Sequence, residues 1–436
     1  MSAIAVSPRV RERVSLRAVI GAAALTAAVS VAWWIAAGAA GGSYLLSLAT
    51  GVNPSWSDGP LRALGFSLSP SSFSVALIAF AAAYAVALAC ADSISLRWAL
   101  GAVALANLAF TLAPSIVSTD VFGYVAYARE AAHGLNPYVS PPAALGHNSI
   151  LPLVFWQNEP SPYGPLFTLS SAPLGFLSAS AAFWVYKAAA GAAGLALAWL
   201  VAAVARARNL SPSRAALFVG LNPVLLLYAV AGAHNDLLAV AFVAAAIGLL
   251  QRGRESAAVA AVVAGAAVKV TLGLALPFVL LGARRRGAAL RGAAFALVAL
   301  GVPTLAVFGP HIFDQLHRIT SQQRFDITFS GPRELSDALG RPIDSLVRAL
   351  CTGAAAAVAL VQIVRAARGA DYLATSGWAV LALLASIASL APWYLVWLLP
   401  LAAVARSRPL RAAALLATGY LLAVHLPALG GVPFLT

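Results

Sequence analysis

Hydrophobic and polar positions fall in long blocks along this chain. Apolar runs occupy residues 18–40, 73–91, 97–114, 180–203, 214–231, 237–251, 292–308, 343–364, 372–390, 393–405 and 411–427. A helix needs roughly 20 apolar residues to cross a hydrocarbon core. The pattern therefore predicts an all-α polytopic membrane protein, a single bundle over residues 1–436 with about 11 spanning helices. Three long polar segments, 41–72, 115–165 and 309–342, alternate with connections of only a few residues. Function concentrates in loops held by a rigid scaffold. Segments 115–165 and 309–342 are accordingly predicted to form the active-site face, with short helices lying on the outer surface.

Two apolar segments depart from this pattern. Residues 257–281 are long enough for one crossing, yet Arg252 and Arg254 precede them and "ARRRGAALR" follows. Two half-helices of about 12 residues each reach only ~18 Å. A re-entrant hairpin with Lys269 near its tip fits both basic flanks, and a plain crossing with one badly charged loop is the alternative. Backbone of that kind needs cover from protein or a polar cavity. Segment 166–178 is too short to span and is expected to dip into the outer leaflet.

Composition agrees with the block pattern. Hydrophobic residues make up 61% and charged residues 10%, with a mean hydropathy of +0.87, whereas soluble domains carry about 25% charged residues. The net charge of +14 would suit a polyanion binder, but its placement excludes nucleic acid as the partner. The N-terminal tail and the short connections hold 19 of the 28 basic residues and 4 of the 14 acidic ones. Such an excess marks cytoplasmic loops. Arg9, Arg11, Arg13 and Arg17 put the N-terminus in the cytoplasm, and the long segments fall outside. The opening segment lacks a small-residue cleavage site and reads as an uncleaved anchor. Cys90 and Cys351 both lie in apolar runs, so neither a disulfide framework nor a Cys-ligated metal is expected.

Candidate chemistry gathers at the predicted outer ends of the runs. In "STDVFGYVAYAREAAHGLNPY" (118–138), Asp120 either caps a surface helix or serves as a catalytic carboxylate, and Tyr124 and Tyr127 share its helical face. In "AGAHNDLLAV" (231–240), His234, Asn235 and Asp236 either build a turn and cap or present donors and acceptors to a polyhydroxylated ligand. Lys187 is an intramembrane lysine, a functional candidate unless it snorkels to the interface. The "PWYLVW" stretch (392–397) suits an aromatic interfacial belt or, with Trp393 and Tyr394, sugar stacking. In 309–342, His311, His317, Arg318, Arg324 and Arg333 stand among acidic residues, and one or two arginines suit a phosphate contact. No metal site is expected there, because histidines six residues apart do not share a helix face.

Taken together, "STDVFGYVAYAREAAHGLNPYVSPP" (118–142), "SPYGPL" (161–166), "GAHNDLLAV" (232–240), "KVTLGLALPFVLL" (269–281) and "APWYLVWLLPL" (391–401) resemble the bacterial polyprenol-phosphomannose-dependent α-1,6-mannosyltransferases of the GT-C superfamily. The resemblance covers most of the chain from about residue 97 onward, in motif order and spacing. No extra C-terminal soluble domain of the kind seen in many GT-C enzymes is expected from this sequence.

The resemblance implies a GT-C-like bundle in the cell membrane whose active site is extracytoplasmic. It implies transfer of a hexose, mannose first, from a polyprenyl-phosphate donor to a glycan or lipoglycan acceptor, with inversion and no cofactor. Asp120 is then the general base, and Lys187, Lys269 and Arg324 are candidates for the donor phosphate. Tyr124, Tyr127, Asn136, Tyr138, Tyr163, His234, Asn235, Asp236, Trp393 and Tyr394 are candidates for contacts with sugar and acceptor. A transporter or flippase for a lipid-linked sugar is the competing class. Transporters place coupling charges at the midplane on broken helices, whereas ten of the fourteen acidic residues here are assigned to the outer side.

Overall fold

The computed structural model describes residues 15–42, 54–322 and 329–427, apart from the side chains of 319–322. Among these residues the regular structure is helical. The first helices are α1 (Leu16–Ala40), α2 (Pro70–Ala89), α3 (Leu96–Leu112), α4 (Asp120–Ala132), α5 (Pro165–Ser171) and α6 (Ala179–Ala207). Next come α7 (Pro212–Gly220), α8 (Asp236–Gln251), α9 (Glu255–Val268), α10 (Ala275–Gly282), α11 (Arg286–Phe308) and α12 (Asp314–Gln322). The chain closes with α13 (Gly331–Leu339), α14 (Ser345–Ala367), α15 (Tyr372–Ser386), α16 (Leu399–Val404) and α17 (Arg408–Val424).

Five helical stretches, Leu16–Ala40, Pro70–Ala89, Ala179–Ala207, Arg286–Arg318 and Ser345–Ala367, are long and apolar enough to cross a bilayer. Several other expected spans are shorter or broken, and prolines account for two of the breaks. The run 214–231 divides into α7 and a π-helical turn, Leu225–Val230. Pro223 lacks the N–H that would continue α7, and Asn222 takes over the junction. Its side-chain oxygen accepts from the amides of Val224 and Leu225, and its amide donates to Tyr84 and Thr418. The run 393–405 likewise becomes a 3-10 turn, Pro392–Trp397, followed by α16, each opened by a proline.

Helix α6 is central, packing on α3, α7 and α8, while α1 lies against α2 and α3. On the other side α8 pairs with α9, α9 with α11, and α10 with α14 and α15. Small residues allow the close pairs: a Cβ on Gly292 would stand 2.1 Å from the Ser256 carbonyl oxygen, where α11 crosses α9.

The segment 255–285 doubles back on itself. Helix α9 ends at Lys269, which is extended (φ −145°, ψ 110°), and a 3-10 turn over Val270–Leu274 leads into α10. Its two ends meet: the amides of Arg284 and Arg285 each donate to the Glu255 carboxylate at 3.0 Å. The hairpin expected from the basic flanks is thus the shape the chain takes.

Helix α4 differs from the expected surface helix. Residues Val121 to Ala128 are all buried, because the following loop folds over them. Tyr127 donates to the Glu159 carbonyl at 2.7 Å, and α4 packs on the Ala172–Phe176 turn.

Candidate active site

Asp120 is the first residue of α4, and Thr119 occupies the cap position without a side-chain cap bond. Its own amide donates to the Ser118 hydroxyl at 3.2 Å. Among the described residues the carboxylate faces His234, with Oδ2 3.4 Å from Nδ1. That distance is long for a hydrogen bond; such contacts often tighten only when substrate binds. The Asp120 side chain is 20% exposed and that of His234 fully buried, so the carboxylate is the member of the pair open to a ligand.

His234 is oriented by stacking. Its ring lies 3.8 Å from that of Trp393 with an interplanar angle of 16°. The next residue, Asn235, is buried with both side-chain polar atoms lacking a partner among the described residues. Its backbone amide contacts the Tyr124 hydroxyl at 3.4 Å. A buried amide without partners is costly, and a hydroxylated ligand would satisfy it.

Asp236, fully buried at the start of α8, accepts from Lys269 at 2.8 Å and from the Trp397 indole at 2.6 Å. Lys269 sits where α9 breaks and lies over the rings of Tyr394 and Trp397, 4.8 and 5.6 Å from their centroids. Its side chain is 18% exposed. Asp236 fixes one N–H of the ammonium, the rings shield its flank, and the cation lies within electrostatic reach of the Asp120 carboxylate.

Tyr163 closes the ring of side chains, edge-on to Tyr124 at 4.9 Å. It is held because the Gly164 amide donates to the Val268 carbonyl at 3.0 Å. Five separate segments therefore converge: the N-terminus of α4, the loop at Tyr163, the turn before α8, the tip of the α9–α10 hairpin, and the Pro392–Trp397 turn. Among the described residues no three of His, Cys, Asp and Glu gather at metal-ligand spacing.

Other candidates lie elsewhere. Lys187 is fully buried in α6 and donates to the carbonyls of Phe110, Pro114 and Ala231 at 2.8, 3.3 and 2.7 Å. Three acceptors saturate an ammonium group, which leaves no proton for a phosphate. Asn136 donates to the Phe308 carbonyl, and the Tyr138 hydroxyl lies 3.0 Å from both the Tyr163 carbonyl and the Thr168 hydroxyl; both brace the loop behind the site. Tyr127 is engaged with Glu159. Arg324 lies outside the described residues. Trp397 is the contact that sequence reading passed over, because its aromatic neighbours suggested a membrane belt rather than a hydrogen bond to Asp236.

Residues 18–285 match the family described as "Alpha-(1->6)-mannopyranosyltransferase, N-terminal domain". The chain belongs to the alpha-(1->6)-mannopyranosyltransferase family. Residues 337–433 also match the "MptB C-terminal domain". Among relatives of this mannopyranosyltransferase family, alpha-(1->6)-mannopyranosyltransferase A of Mycobacterium tuberculosis is 30% identical over 172 residues, 38% of this chain and 33% of the relative. Its counterpart A in Corynebacterium glutamicum is 28% identical over 179 residues, 38% of this chain and 35% of the relative. Mannopyranosyltransferase B of the same bacterium is 26% identical over 152 residues, 33% of this chain and 25% of the relative. The matched part thus spans about a third or less of each of these relatives. No solved structure matches the chain.

Proposed function

We propose that this protein is an integral membrane mannosyltransferase that moves mannose from a polyprenyl-phosphate donor to a glycan or lipoglycan hydroxyl at the extracytoplasmic face. The observation that carries the reading is the partly open Asp120 carboxylate held beside His234, within electrostatic reach of the Lys269 ammonium that Asp236 fixes. A base and a cation at the same depth are what glycosyl transfer from a phosphate requires. Asp120 accepts the proton of the acceptor hydroxyl as its oxygen attacks C1 of the donor sugar. The bond from C1 to the phosphate oxygen breaks, its electron pair leaves with the phosphate, and Lys269 offsets the charge that develops there. Attack from the face opposite the phosphate inverts C1, so a β-linked donor yields an α-linked product. His234, Asn235, Tyr163 and Trp393 line the side on which sugar and acceptor meet.

Membership of the mannopyranosyltransferase family supports mannose as the sugar. The basic connections support a cytoplasmic N-terminus, and the hairpin base at Glu255 and Arg285 supports a segment that re-enters without crossing. One feature favours a second reading: a buried ion pair at a helix break, Asp236 with Lys269, is also what an alternating-access transporter uses. The deciding experiment offers the purified protein a panel of polyprenyl-phosphate sugars with a mannan-type acceptor. Mannosyl transfer with release of polyprenyl phosphate is expected. Movement of intact donor across proteoliposomes without transfer would replace the enzyme reading by the transporter one.

A further inference from the structure

Lys187 has no place in the chemistry above, yet it is a fully buried ammonium on a long apolar helix. An intramembrane charge persists where it does something that a neutral side chain cannot. Its three acceptors are carbonyls left open by the sequence. Phe110 lies in the last turn of α3, and the residue four positions on is Pro114, which has no N–H to return. Ala231 follows the π-helical turn, and the residue four positions on is Asn235, whose amide turns to the Tyr124 hydroxyl instead. Pro114 supplies the third carbonyl. Gly191, one turn further along α6, eases the approach: a Cβ there would stand 2.3 Å from the Thr111 hydroxyl and force that side chain to shift.

The two chain segments gathered by this ammonium are those that carry Asp120 and His234. Each passes through a non-glycine residue with positive φ just before its functional side chain: Val117 at 58° and Ala233 at 55°. A β-branched residue in that region is a genuine outlier. Strain of this sort persists only where the surroundings over-determine it. Here both strained turns begin at carbonyls anchored on one nitrogen.

We infer that Lys187 is a positioning residue, whose ammonium holds two strained turns in register and so sets the spacing of Asp120 and His234. This rests on the proposed role of Asp120 as base. Lys187 touches neither donor nor acceptor.

The test compares wild type, Lys187→Met, Ala233→Gly, Asp120→Asn and Lys187→Met combined with Asp120→Asn, with each active fraction counted by donor binding. In Lys187→Met we expect kcat to fall about 100-fold, the scale of a 1 Å misplacement, while KM for the polyprenyl-phosphate donor holds. In the Asp120→Asn background the same change should cost nothing further in rate, because effects through one unit do not add. Ala233→Gly keeps the lysine but frees the turn, and should lower kcat with no loss of thermal stability; it carries the test if Lys187→Met does not fold. Full kcat in either folded single variant, or additive losses in the combined one, overturns the inference. Absence of transfer by wild type from every donor would instead sink the proposed function.

Discussion

The Gly164 amide donates to the Val268 carbonyl at 3.0 Å, and a Cβ on residue 164 would lie 2.2 Å from the Ala267 carbonyl oxygen. The loop bearing Tyr163 thus rests directly on the end of α9, one residue before Lys269. Overpacking costs about 1–3 kcal/mol, and here the yielding part is the hairpin tip. Gly164→Ala should raise the donor KM about tenfold, at 1.4 kcal/mol per decade, with a smaller change in kcat. Steady-state transfer kinetics check it, and an unchanged KM would show that the tip is not part of the donor site.

Replacing Asp120 by Asn keeps size and hydrogen bonding but removes the proton acceptor. Loss of a general base lowers the rate by about 10²–10⁴-fold. Donor affinity should survive, since the proposed phosphate contact is Lys269. Transfer rate and donor affinity on the same purified variant separate the two; near wild-type transfer would return Asp120 to a structural role.

Breaking the buried Asp236–Lys269 pair leaves an uncompensated charge, which costs about 3–5 kcal/mol. Lys269→Met alone should therefore lower both thermal stability and donor binding. Combining it with Asp236→Asn removes the stranded charge, so stability should recover while donor binding stays weak. Recovery of both would mean that Lys269 serves only to neutralise Asp236.

Glu130, on α4, is fully buried, with both carboxylate oxygens lacking a partner among the described residues. Burial pushes its carboxyl up to about 9 from an ordinary value of 4.5. Between those values the folded state keeps a proton that the unfolded state gives up, so this group makes stability fall as pH rises. Glu130→Gln should therefore gain stability over wild type at pH 8 and show little gain at pH 4.5. Thermal unfolding at the two pH values measures the difference, and a gain independent of pH would place the proton elsewhere.

The orientation is open to a labelling experiment in a background lacking Cys90 and Cys351. Ser149 is exposed in the long loop after α4, and Arg252 is exposed between α8 and α9. A cysteine at 149 should react with a membrane-impermeant thiol reagent in intact cells, and one at 252 should not. The opposite pattern would put the Asp120 site in the cytoplasm.

Much of this site could be read from the chain because its residues stand against their surroundings. A carboxylate at the end of one apolar run, "HND" between two others and a lysine inside a doubly basic-flanked segment are each conspicuous, and Asp120 does meet His234 and Asp236 does meet Lys269. Partners were harder to read. Hydropathy reports depth, so it marked Lys187 as unusual without showing that three carbonyls await it, one of them opened by Pro114. Asn136 and Tyr138 carry the polar atoms expected of a sugar site but spend them on Phe308, Tyr163 and Thr168. The run 214–231 looked continuous because Asn222 and Pro223 are only two residues among apolar neighbours, yet a proline needs no company to end a helix.

The closed base of the α9–α10 hairpin bears on how the protein is assembled in its membrane. Glu255 ties to Arg284 and Arg285, so the basic residues on both flanks stand together, and on the proposed topology biogenesis never has to translocate them. Among the described residues the hairpin tip bonds to Asp236 and Gly164 and lies against the Pro392–Trp397 turn. The last of these is synthesised more than a hundred residues after Lys269, so the proposed donor side of the site is completed only after the hairpin and the helices that follow it have been made.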